Sequence, residues 1–428
     1  MSLYHRVVEH EVFPATGCTE PVACAYAAAL AADRLGADVE AVTLRTDAAT
    51  FKNGAAVAVP CSGGAHGNLI AAVLGACVAN PAAKLEILER VTPAALDRAT
   101  ALYRSGACVQ SYLRGQQDFC VDVLVQGGGH SARCVLAGGH THIARIEYDG
   151  TAVFQSDAPA GRTGTLPYRR ELQSMPFVDV LGLAEQLGDA EFEFLEQGIT
   201  MNKAMVVPGL KAGGVAGQLQ RMQSNGYLAD DLFTRVKLAV AAAVDARMGG
   251  VAQPVMTSGG SGNQGIVVTL SIDTVGAALD VDRPVVLRSV AAAHLTNAYV
   301  KCAVGELAAV CGCAVAGGLG AAVGLVYMRA GIDMPKITHA VNNVIGDLSG
   351  LICDGAKPGC ALKAVSSVDS ALRSAFMALD DRGLSTADGI AGQTVEEAIS
   401  NIGRLAAEGM PAVDPLVLSI LASKRPAE

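Results

Sequence analysis

The sequence predicts an α+β protein: an N-terminal region of mixed α/β character with antiparallel strands, then an all-helical C-terminal region. Three observations carry that prediction. Alternating apolar runs separated by glycine turns fill residues 119–154, the pattern of an antiparallel meander. Helical periodicity dominates beyond about residue 178, at 229–248, 284–301, 303–329, 336–352 and 394–408. Between the two regions, residues 156–170 lose periodicity and collect Pro, Gly and Arg, as a linker does. The expected division is 1–170 for the α+β part and 171–428 for the helical part, with the active site between them.

Each element has a local reason. Pro21 opens a helix over 21–35 and Gly36 ends it. Residues 39–47 alternate as a strand, and a turn at Asn53-Gly54 leads to a second apolar run, AAVAVP. The glycine-rich CSGGAHG then enters an apolar helix over 68–79, and Thr92-Pro93 starts another that stops at Gly106. Thr394 and Glu397 form a capping box for the helix that follows.

Composition narrows the function. The formal charge is −9 and no Lys/Arg cluster offsets it, which excludes nucleic acid and anionic membrane as partners. The N-terminal residues place His, Arg and Glu before any apolar stretch, so they do not read as a secretory signal. Residues 307–328 carry no charge and reach membrane length. Their glycines, two cysteines and flanking Glu306 and Arg329 fit a buried, closely packed helix better. Twelve cysteines without a signal point to a cytoplasmic chain and to thiol or metal chemistry rather than disulfides. Cys24, Cys77, Cys108, Cys120, Cys134 and Cys302 lie in apolar or alternating runs and read as small buried residues.

Three constellations remain. Cys311-Gly-Cys313 begins the small-residue helix, and Cys353 and Cys360 lie in a Gly/Pro turn after the next one. Thiolates in turns can converge on an iron–sulfur cluster or on zinc, and three buried thiols are the bland alternative. Cys18 precedes a helix whose first turn holds Pro21, where the helix dipole is expected to lower a thiol pKa. Thr257, Ser258, Gly259, Gly260, Ser261, Gly262 and Asn263 form a loop able to offer backbone N–H groups and hydroxyls to a carboxylate. Ser62–Gly67, with His66, is a smaller counterpart. His140 and His142 would share one face of a half-exposed strand, while His294 and His339 read as satisfied groups in helices.

Taken together, GCTEPVA at 17–23, TSGGSGNQG at 257–265, CGCAVAGG at 311–318 and ICDGAKPGCALK at 352–363 resemble the L-cysteine desulfidase family. That family is distantly related to the iron–sulfur-dependent L-serine dehydratases, and the similarity spans nearly the whole chain. The resemblance implies a [4Fe-4S] cluster and α,β-elimination from an amino acid without pyridoxal phosphate. Cys313, Cys353 and Cys360 match the cysteines that hold the cluster, and Cys18 matches the N-terminal cysteine of the desulfidase motif. The chain departs from the dehydratases in its closer spacing of Cys353 and Cys360 and in having no cysteine after Cys360. Cys18 is thus open as fourth ligand or as catalytic base, and Cys311 as an alternative to Cys313. For cysteine the expected products are pyruvate, ammonia and sulfide. L-serine dehydration is the alternative, and a non-catalytic zinc or redox-cluster protein is the second. The expected partners are a small amino-acid substrate and a second copy of the chain.

Overall fold

A computed structural model describes residues 2–116, 118–156, 167–305 and 308–423. Most of the expected linker, residues 157–166, lies outside the described residues. The chain starts with α1 (Leu3–Glu11), β1 (Pro14–Thr16), α2 (Thr19–Leu35), β2 (Ala41–Thr46), α3 (Ala48–Gly54), α4 (Asn68–Val78) and α5 (Pro93–Arg104). Five strands follow: β3 (Cys108–Tyr112), β4 (Cys120–Gly127), β5 (His130–Ala137), β6 (Ile143–Tyr148) and β7 (Thr151–Gln155). Next come α6 (Pro167–Ser174), α7 (Phe177–Gly182), α8 (Asp189–Ala204), α9 (Val206–Ala212), α10 (Val215–Ser224) and α11 (Leu232–Met248). A short β8 (Pro254–Met256) precedes α12 (Gly262–Ala278), α13 (Arg283–Val304), α14 (Val315–Ala330) and α15 (Met334–Leu348). The chain closes with α16 (Cys360–Leu379), α17 (Val395–Arg404) and α18 (Val413–Ser423). The α+β class expected from the sequence is the class observed.

Six strands form one sheet in the order β3-β2-β4-β5-β6-β7. All neighbours are antiparallel except β2 and β3, which pair in parallel. Helix α2 lies across β4 and β5 and against α4. That contact requires Gly75, where a Cβ would fall 2.0 Å from the Ala25 carbonyl oxygen. The alanines of α2 face Val121, Val123 and Leu136 of the sheet in one core.

A second core unites most of the remaining helices. The glycines of α14 serve it as Gly75 serves the first: a Cβ on Gly320 would stand 2.8 Å from the Ala293 oxygen of α13. Leu3, Tyr4 and Val7 of α1 belong to this helical core although they begin the chain. The chain then returns to the sheet side through β1, which pairs antiparallel with β8 from Pro14↔Met256 to Thr16↔Pro254. This ladder fastens the start of α2 to the loop that opens α12.

Four local expectations need correction. Residues 48–54 form α3 rather than a turn, because the Asp47 carboxylate accepts from the Thr50 N–H at 2.8 Å and caps the helix. Residues 55–60 are not a strand and make a single bridge, Ala58↔His66. The helix read at 303–329 is broken: Gly305 (φ 95°) ends α13, and α14 begins only at Val315. The next helix stops at Leu348, so Ile352 and Cys353 lie in extended chain. Among the described residues no single helix is long and apolar enough to cross a membrane.

Candidate functional site

The break between α13 and α14 positions the cysteines. Residues 309–311 pair antiparallel with 351–353: the Cys311 N–H donates to the Leu351 carbonyl at 2.8 Å and the Cys353 N–H to the Ala309 carbonyl at 2.7 Å. The next turn is held against α3, since Gly355 (φ 98°) approaches so closely that a Cβ would meet the Lys52 oxygen at 2.6 Å. Cys360 then begins α16. Cys311, Cys313, Cys353 and Cys360 consequently line a single cavity, and Cys18 lines it too. All twelve cysteines are free thiols.

The thiols sense one another. Cys311 and Cys313 act on each other: the neighbouring Cys313 holds Cys311 below the ordinary thiol value, while Cys311 and burial raise Cys313. Burial pushes Cys353 up to about 11, against the nearby Lys52 ammonium, and raises Cys360. Cations surround the group. Lys52, only 1% exposed, donates to the Cys353 carbonyl at 2.8 Å and to Asp414 at 2.5 Å. Lys363 donates to the Ile352 carbonyl at 2.8 Å and to Asp354.

Four thiols around one cavity are a donor set that fits an iron–sulfur cluster. Soft thiolates suit iron–sulfur clusters and zinc alike. Among the described residues, though, no three His, Cys, Asp or Glu side chains lie close enough together to hold a single ion. A cubane is held by sulfurs about 6–7 Å apart. The buried Lys52 and half-buried Lys363 ammonium groups beside the thiols offset the negative charge that such a ligand set collects.

Cys18 departs from expectation. It is the residue before α2, with Gly17 at φ 81°, yet its pKa is raised well above the ordinary thiol value. Burial is the main cause, and the Glu20 carboxylate adds to it. The Cys18 Sγ donates to Glu20 Oε2 at 2.8 Å, and Asn53 Nδ2 donates to Oε1 at 3.2 Å. Burial alone would raise Glu20, but His140, the Cys18 hydrogen bond and Arg247 together hold it below the usual carboxylate range. Desolvation and an anionic neighbour outweigh the helix dipole at Cys18.

The glycine-rich loop divides in two. Gly259, Gly260, Ser261 and Asn263 line the cavity; Thr257, Ser258 and Gly262 do not. The Thr257 hydroxyl accepts from the Phe13 N–H at 2.9 Å and donates to the Glu11 carbonyl at 3.0 Å. Ser258 Oγ is bonded to His294 Nδ1 and Asn297 Nδ2 at 2.8 and 2.9 Å. A Cβ on Gly262 would strike the Arg247 guanidinium at 2.4 Å. These three residues therefore shape the loop instead of facing a ligand.

Arg247 ties the site together, donating to Asn263 Oδ1 at 3.0 Å and to the Gly17 carbonyl at 2.5 Å. Gln264 lies between the loop and the cysteines: a Cβ on Gly259 would meet its Oε1 at 3.1 Å, and one on Gly312 its Nε2 at 2.7 Å. Its Oε1 is buried without a partner.

The histidines also differ from their sequence reading. His66 is exposed and does not line the cavity. His140 and His142 share no strand face; both lie in the β5–β6 turn that Gly138 (φ 75°) begins. His142 Nδ1 bonds the Ala137 carbonyl at 2.7 Å, whereas His140 reaches the cavity. Sequence reasoning placed His140 on a strand and missed Glu20, Lys52, Arg247, Gln264 and Lys363. Glu20, Gln264 and Lys363 stand inside the quoted motifs, and Arg247 is a charge closing an apolar helix, so a signal was present for four of them.

Comparison with known proteins bears out the relation to serine dehydratases. The profile of the serine dehydratase alpha chain family matches residues 82–419. A UPF0597 protein of Geobacter sulfurreducens is 47% identical over 428 residues, 100% of both chains. One of Elusimicrobium minutum is 39% identical over 99% of this chain and 100% of its own. Another, of Desulfotalea psychrophila, is 37% identical over 98% of each. The profile covers most of the chain, which belongs to the serine dehydratase alpha chain family.

Proposed function

We propose that this protein is an iron–sulfur-dependent lyase that removes the β-substituent of a small amino acid by α,β-elimination, with L-cysteine as substrate. The observation that carries the reading is the meeting of Cys311, Cys313, Cys353 and Cys360 with the Gly259–Asn263 turn around one cavity. Cys313, Cys353 and Cys360 would hold a [4Fe-4S] cluster, with Cys311 beside them in the cavity wall. Bound there, the cluster supplies a Lewis-acidic iron for the departing heteroatom.

The chain's own residues supply the rest. In the first turn of α12 the N–H groups of Asn263 and Gln264, which line the cavity, have no helical partners and suit a carboxylate. Arg247 fixes that helix start through Asn263. The unpartnered Gln264 Oε1 is an acceptor for the substrate ammonium. Cys18, held as a thiol on Glu20, positions that carboxylate rather than acting as a thiolate. L-cysteine and water leave as pyruvate, ammonia and sulfide.

The family match favours a second reading, dehydration of L-serine, in which hydroxide replaces sulfide as the leaving group. Protein prepared and reconstituted without oxygen is offered each amino acid while pyruvate is measured. A larger kcat/KM for L-cysteine supports the first reading, and a larger one for L-serine transfers the assignment to the second. Pyruvate from neither excludes both.

A further inference from the structure

We propose that His140 is the group that takes the α-proton of the substrate, from the sheet side of the cavity. This assignment rests on the elimination reading above and adds a residue to it. His140 is 8% exposed, lines the cavity, and carries a buried Nε2 with no hydrogen-bond partner. A buried imidazole nitrogen left unpaired is costly unless something in the cavity uses it. The Phe119 ring packs against the imidazole with centroids 4.6 Å apart and sets its plane. The Gly138-Gly139 turn lets the side chain leave the sheet and enter the cavity.

Other groups around the cavity are engaged. Glu20 Oε2 accepts from Cys18, and Oε1 accepts from Asn53. Cys18 donates its proton to Glu20. Lys52 and Lys363 are bonded to main-chain carbonyls and carboxylates. Gln264 Oε1 is free but is an amide oxygen, far too weak a base. Cys311, the other group able to accept a proton, lies among the cluster cysteines; on the sheet side of the cavity His140 supplies the basic atom, since with the proton on Nδ1 its Nε2 presents a lone pair. The buried Glu20 carboxylate, whose charge reaches His140, stabilises the imidazolium that forms.

The step balances without further reagents. Nε2 accepts the α-proton, and the Cα–H pair becomes the second bond between Cα and Cβ. The Cβ–S bond breaks and sulfur leaves with its pair as hydrosulfide. The imidazolium returns a proton to Cβ of the aminoacrylate while its ammonium gives one to the hydrosulfide, which departs as hydrogen sulfide. Water then hydrolyses the resulting iminium to pyruvate and ammonium.

The test uses the reconstituted full-length protein with His140→Asn and His140→Gln. Loss of a general base predicts kcat lowered by about a hundredfold or more, with KM for L-cysteine within about threefold of wild type. Iron content and visible spectrum should be unchanged, and added imidazole should restore part of the rate. If both variants retain kcat within about tenfold, or lose iron together with activity, His140 is not the base. Wild-type protein in the same assay separates the two claims: wild type that forms no pyruvate from L-cysteine or L-serine overturns the elimination reading itself.

Discussion

His294 shows how burial decides the state of a single side chain. It is 1% exposed in α13, bonds Ser258 through Nδ1, and burial lowers its pKa to about 3. The folded protein therefore binds fewer protons here than the unfolded chain between pH about 6.5 and 3. Stability contributed by this group is present above the unfolded pKa and is lost as pH falls, at about 1.4 kcal/mol per unit. Between pH 6.5 and 5, wild type should lose about 2 kcal/mol more than His294→Gln in urea unfolding. Equal losses would show that His294 is protonated without penalty. The same reasoning explains Cys18, where burial and Glu20 oppose the dipole that the sequence alone suggests.

At the scale of elements, small residues set the spacing. Helices α2 and α4 cross with Gly75 against the Ala25 backbone, and the clash of an added Cβ is with carbonyl atoms that cannot rotate away. Gly75→Ala should destabilise the protein by about 2 kcal/mol or more, read from the urea midpoint. A loss below about 0.5 kcal/mol, the range of surface substitutions, would mean the helices slide apart freely. The long elements were legible because their signals are local: Pro21 and Gly36 bound α2, and Thr92 and Pro93 begin α5. What escaped depends on partners distant in sequence. Strand β3 exists by pairing in parallel with β2, whose own strand pattern ends some sixty residues earlier. The break before Val315 is stabilised by pairing with residues 351–353, which no helical periodicity can reveal.

For the whole molecule, the site depends on both cores at once. Cys18, Glu20, Lys52 and His140 come from elements on the sheet side, and the other cysteines from the helical side. The β1–β8 ladder and the Arg247–Gly17 bond hold the halves together, and α18 reaches back to Lys52 through Asp414. The gathering of the cysteines was foreseeable from four motifs read together. Which loop atoms face the cavity was not, because Thr257 and Ser258 are consumed by contacts with residues 11–13 and 294–297. The most direct test of the account is iron and sulfide content, measured with pyruvate formation, in oxygen-free wild type and Cys353→Ser. About four iron and four sulfide are expected per wild-type chain, with cluster and elimination lost together in the variant. Elimination that persists in iron-free wild type, or in Cys353→Ser without a cluster, would contradict it.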